Sequence, residues 1–130
     1  MKKLLLTLTI AITLFACNEK EDIEPNTLHG TWEVDSYNEN GVDMTTQYKA
    51  TYVNYKIKFD RSNNFIETYT LLGANTTNAG EWKLINSGED LELTSQVDNS
   101  KRYFNILELN PSSATITEDN GSKEYNLRKI

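Results

Sequence analysis

Val53-Asn54-Tyr55-Lys56-Ile57-Lys58-Phe59 alternates apolar and polar side chains residue by residue. Successive side chains of a strand point to opposite faces, so Val53, Tyr55, Ile57 and Phe59 share one face and Asn54, Lys56 and Lys58 the other. A helix would scatter the same apolar set around its axis, whereas a half-buried antiparallel strand accounts for it. Outward from this stretch, turn signals recur at Asn40-Gly41, Asp60 to Asn64, Gly73-Ala74-Asn75, Ser87-Gly88, Asp98-Asn99, Asn110-Pro111-Ser112 and Asn120-Gly121. Asn-Gly is the strongest of these, because both residues tolerate the positive φ of a tight hairpin turn. The segments between them predict eight strands, near residues 30–38, 52–59, 64–72, 79–86, 90–96, 101–109, 113–118 and 123–129. Short strands at such regular spacing predict an all-β fold, a sandwich or a barrel. The first connection, residues 41–51, is the exception. It carries Val42, Met44 and Tyr48 without alternation, and reads either as a lid over the open end of the sheet or as a surface loop with a short helical turn.

The N-terminus follows a different logic. Lys2 and Lys3 precede a run of apolar residues and threonines from Leu4 to Phe15. As a helix this run would span roughly 18 Å, against about 30 Å for a bilayer core, so it is the apolar region of an export signal and not a membrane span. It ends in Leu14-Phe15-Ala16-Cys17, which resembles the lipobox of bacterial lipoproteins. The resemblance implies that residues 1–16 are removed and that Cys17 carries a diacylglyceryl group as first residue of the mature chain. The other reading is a plain secretory signal with a chance cysteine. Asn18 to Asn26 is polar, charged and interrupted by Pro25, so residues 17–27 are expected to be a flexible linker with too little to bury. Lys20-Glu21-Asp22 resembles the acidic surface-export signal of some Gram-negative lipoproteins. It implies an outer-membrane lipid anchor with the domain displayed at the cell surface, the periplasmic face being the alternative.

Composition narrows the function. The 13 basic and 19 acidic residues leave a formal net charge of −6, which argues against a nucleic-acid partner and against electrostatic membrane binding. Cys17 is the single cysteine, so no disulfide supports the domain. The length suits one domain, expected to be a monomer. His29 is the only histidine, which excludes Ser-His-Asp and His-rich metal arrangements. Asp60 to Asn64 begins like a calcium loop, but Phe65 and Leu71 stand where glycine and a bidentate glutamate are required. Glu89, Asp90 and Glu92 crowd carboxylates at a turn, and a solvated edge explains them. No glycine-rich phosphate loop is present. Neither an enzyme nor a cofactor is expected.

Gly30-Thr31-Trp32 at the start of the first strand resembles the Gly-x-Trp signature of lipocalins. Ile57-Lys58-Phe59-Asp60 running into Asn64-Phe65, Gly80-Glu81-Trp82, Leu107-Glu108-Leu109 and Tyr125-Asn126-Leu127 extend the likeness to the short lipocalin-like domains of small bacterial lipoproteins. The resemblance covers residues 28–130 and implies an eight-stranded up-and-down barrel with Trp32 packed across its bottom. Such a barrel has an interior just wide enough for its own side chains or one small ligand. Strand phase proposes Trp32, Val34, Tyr55, Ile57, Tyr69, Trp82, Leu84, Phe104 and Tyr125 as the lining of that interior. If space remains between them, the protein binds a small apolar or amphipathic molecule at the envelope. If they fill it, the domain is an interaction or inhibitor module that contacts another protein.

Overall fold

The computed structural model describes residues 25–130; Cys17 and the export signal lie outside the described residues. A helical turn, α1 (Pro25–Leu28), leads into β1 (Gly30–Glu39), the two-residue β2 (Val42–Asp43) and a helix, α2 (Thr45–Thr51). Then follow β3 (Val53–Phe59), β4 (Asn64–Leu71), β5 (Ala74–Ile85), β6 (Asp90–Ser95), β7 (Lys101–Leu109), β8 (Ser113–Glu118) and β9 (Lys123–Lys129). The long strands pair antiparallel in chain order, and β1 also pairs with β9 from Trp32↔Lys129 to Glu39↔Lys123. That last pairing closes an eight-stranded meander barrel, the expected architecture. Closure removes the free edges that an open sheet would present for aggregation.

Three differences from the sequence reading have local causes. Pro25 to Thr27, expected at the end of a flexible linker, form α1, which seats Leu28 at 2% exposure in the core. The strand expected at 79–86 runs instead from Ala74, because the turn is only Leu72-Gly73, both at positive φ. Asn75, Thr76, Thr77 and Asn78 form the first part of that strand, where polar residues occupy both faces and apolar alternation is lost. The first connection combines its two readings: α2 is a helix, and it lies over the open end of the barrel with Met44 and Tyr48 packed against the core.

Bulges set which residues face inward. On β1 the register steps from Val34↔Leu127 to Ser36↔Asn126. Asp35 is therefore an extra residue, and the inward phase shifts from Trp32 and Val34 to Tyr37. On β3 the step from Val53↔Thr70 to Lys56↔Thr68 coincides with a positive φ at Asn54. It leaves Val53 40% exposed instead of sharing a face with Tyr55, Ile57 and Phe59. On β7, Leu107 is the extra residue and is likewise exposed.

The end of the barrel opposite α2 is sealed by aromatic rings. Trp32 has no exposed surface, and its Nε1 donates to the Leu28 carbonyl at 2.9 Å. Lys129 lies over the Trp32 ring at 4.8 Å and donates to the Thr27 carbonyl at 2.8 Å. Trp82 meets Phe59 edge-on at 5.9 Å, with His29 against its other side at 5.7 Å. Trp82 Nε1 donates to the Asp60 carbonyl at 3.3 Å. Nearby, β5 and β6 approach so closely at Gly80 that a Cβ there would lie 1.8 Å from the Thr94 oxygen. Only glycine fits.

Candidate ligand site at the open end

The inward phase of each strand delivers a different side chain to the end beneath α2. After the Asp35 bulge β1 supplies Tyr37 and Glu39; β3 supplies Tyr55, β4 Glu67 and Tyr69, β5 Asn78, β7 Arg102, β8 Glu118, and β9 Lys123 and Tyr125. Helix α2 covers them with Tyr48, and Tyr52 follows at its C-terminal cap. Met44, Tyr48 and Tyr52 recur every fourth residue, which places them on one side of a helix. The helix start is pinned to β1, since Tyr37 N donates to Thr45 Oγ1 at 3.0 Å and Met44 N donates to the Tyr37 carbonyl at 2.9 Å.

Together these residues enclose a cup of about 460 Å³. Six of the chain's seven tyrosines line it, so the cup takes nearly the whole supply of one residue type. Their rings form a connected set around Tyr48, whose centroid lies 4.8 Å from Tyr37, 4.9 Å from Tyr52, 5.8 Å from Tyr125 and 6.1 Å from Tyr55. Tyr55 stacks with Tyr69 at 6.0 Å. These separations lie in the range in which aromatic pairs attract beyond their buried area.

The floor of the cup is polar. Glu67 is buried to 3% exposure on an otherwise apolar strand face. Its carboxylate accepts from Arg102 Nη1 at 3.0 Å, Tyr55 OH at 3.1 Å and Asn78 Nδ2 at 3.3 Å. A buried carboxylate persists only with such partners. Arg102 has its side chain 46% exposed and lies over the Phe104 ring at 5.1 Å. Near the rim, Tyr37 OH donates to Glu39 and Tyr125 OH to Glu118. Burial raises the Tyr48, Tyr55 and Tyr125 phenols above their ordinary value; Glu67 adds to the shift at Tyr48 and Tyr55, and the bond to Glu118 adds to it at Tyr125. The phenols are therefore neutral hydrogen-bond donors throughout the physiological range.

Below the cup the barrel is packed. A residual void of only about 30 Å³ lies among Val34, Ile57, Leu91, Phe104, Ile116 and Leu127. The nine residues proposed from strand phase therefore do not line one cavity. Tyr55, Tyr69 and Tyr125 line the cup. Val34, Ile57 and Phe104 fill the core beneath it. Trp32 and Trp82 plug the far end, and Leu84 is half-buried against the core, bordering neither space. Sequence reasoning missed Tyr37, Glu67, Arg102 and Glu118, and placed Tyr48 only in a candidate lid. The signal for two of them was present: Glu67 sits in phase between Phe65 and Tyr69, and Arg102 in phase with Phe104 and Ile106. Charge on a strand's apolar face marks a polar site inside the fold.

No protein-family model and no curated protein matches the chain. Among solved structures, the crystal structure of a lipocalin-like protein from Bacteroides uniformis is similar, with a TM-score of 0.64 and 18% sequence identity over 80% of this chain and 99% of that one. At that identity the likeness establishes the fold, a lipocalin-like barrel.

Proposed function

We propose that this protein binds a small amphipathic molecule in the tyrosine cup, and that Cys17 tethers it through a diacylglyceryl group to the outer membrane. The observation that carries the binding reading is the contrast between a filled interior and a 460 Å³ cup with six tyrosines in its wall. Ligand sites of small molecules occupy about 300–1,000 Å³ and combine aromatic walls with a few placed polar groups. The cup supplies rings for the apolar part of the ligand, and polar groups of Glu39, Glu67, Asn78, Arg102 and Glu118 for its polar part. It does not suit a long acyl chain, because the barrel below has no room to receive one. Binding is not coupled to a reaction in this reading.

The neutral probe N-phenyl-1-naphthylamine tests it. Its fluorescence should rise with the full chain in non-ionic micelles well beyond the rise with Tyr48→Ala, which removes the central ring of the cup. Equal enhancement by the two proteins would overturn the assignment of the cup.

A second reading draws on the same filled interior. Val42 on β2 and Leu72 and Val97 on turns are 58%, 98% and 84% exposed at the cup end of the barrel. Exposed apolar residues at one end of a barrel suit contact with another protein. In that case the triple substitution of these residues by serine abolishes a pull-down from envelope extracts while leaving probe binding intact.

A further inference from the structure

We infer that the ligand of the cup is a cation, an organic ammonium compound. This rests on the binding reading above and specifies its charge. The two cationic side chains at the cup are already engaged. Arg102 is bonded to Glu67 and stacked on Phe104, and Lys123 pairs with Asp119 at 3.0 Å. The carboxylates at the rim are not matched in the same way. Glu39 and Glu118 stand across from Lys123 in the strand registers of β1 and β8, and both accept from phenols. Among the described residues neither has a lysine or arginine ion-pair partner. On this wall Glu39, Glu118 and Asp119 thus surround one ammonium, which leaves an excess of negative charge beside the cavity.

The rings act in the same direction. The face of a tyrosine carries the negative side of its quadrupole and attracts a cation within about 6 Å of the centroid. Six tyrosine rings around one cup provide several such faces at once. A carboxylate ligand would meet Glu39 and Glu118 without an unengaged cation to receive it. An uncharged ligand would gain from the rings but not from the carboxylates. Only a cation gains from both.

Three matched probes separate these cases in the full chain: choline, its uncharged carbon isostere 3,3-dimethylbutan-1-ol, and 3,3-dimethylbutanoate. Binding is read from shifts of the tyrosine ring resonances. Choline should bind about tenfold tighter than the isostere, in line with the strength of desolvated cation–π contacts. Glu118→Gln and Glu39→Gln, each preserving an acceptor for its phenol, should shrink that ratio and leave the affinity of the uncharged probe unchanged. Equal or tighter binding of the alcohol or the carboxylate at these rings would overturn the cationic assignment and leave the cup standing as a binding site. Absence of ring shifts with all three would also overturn it, and the naphthylamine measurement then decides separately whether the cup binds anything.

Discussion

At the residue scale, two side chains carry the most weight for opposite reasons. Trp32 is an apolar anchor at the sealed end, fully buried with its one polar atom satisfied by Leu28. Trp32→Ala should lower stability by about 3–5 kcal/mol, the usual cost of removing a large buried ring; a change in urea midpoint worth less than about 1 kcal/mol would contradict its role as the plug. Glu67 is the polar anchor under the cup, and its charge is tolerated because three donors surround it. Arg102→Met removes the only cation among them and should cost about 1–3 kcal/mol, since a buried acceptor loses its strongest partner. The double variant Glu67→Leu with Arg102→Met should lose less than the sum of the two single variants, because the pair is coupled, yet stay below the native protein, because the Tyr55 hydroxyl and the Asn78 amide lose their acceptor. Additive losses in the double variant would show that the pair is not coupled.

At the element scale, the bulges and the β5–β6 contact shape the barrel more than strand propensity does. Gly80 sits in ordinary extended backbone, yet a methyl group there would collide with the Thr94 carbonyl and the Phe65 ring. Gly41 is the reverse case, a turn glycine at positive φ with open space around it. Gly80→Ala should therefore destabilise by about 3 kcal/mol or more through overpacking, and Gly41→Ala by about 1–2 kcal/mol through backbone strain alone. Thermal melts of the two variants side by side check the order, and a milder effect at Gly80 would mean that β5 and β6 can separate cheaply. Helix α2 is attached by its first residues and by Tyr48, with no buried residue of its own. Tyr48→Ala should thus loosen the lid and speed amide exchange in 45–51 while leaving protection of β6 and β8 unchanged.

For the whole molecule, the cluster of buried phenols predicts how stability responds to pH. Their folded values lie above the ordinary tyrosine value of 10.0 because burial disfavours the phenolate. A group raised in the folded state holds its proton more tightly there, so its contribution is complete below the unfolded value and is lost as pH rises toward the folded one. Urea midpoints should accordingly show no loss from these phenols between about pH 7 and 9 and fall above about pH 10. The tyrosinate absorbance of Tyr48, Tyr55 and Tyr125 should appear together with unfolding. Early ionisation of these tyrosines with the fold intact would place them in solvent. At the same scale, Cys17→Ser should move the protein out of the membrane fraction or leave the precursor uncleaved, and a processed, membrane-bound variant would rule out the lipid tether.

The sequence by itself determined the all-β class, the meander order and most strand positions, because alternation and turn residues are local and survive without knowledge of the partners. It also identified Trp32 and Tyr55, Ile57 and Phe59 as inward, where the phase runs unbroken. Tertiary structure alone decided where the open space lies. The single residues inserted at Asp35 and Leu107 and the kink at Asn54 reset the inward phase, so Tyr37 turns in while Val53 and Leu107 turn out. Whether large side chains fill a barrel depends on how rings from strands distant in sequence interlock. Here they interlock below and part above, so the space is a polar cup under α2 and not an apolar channel through the core. Glu67 and Arg102 are thirty-five residues apart, and only closure of the barrel makes them neighbours.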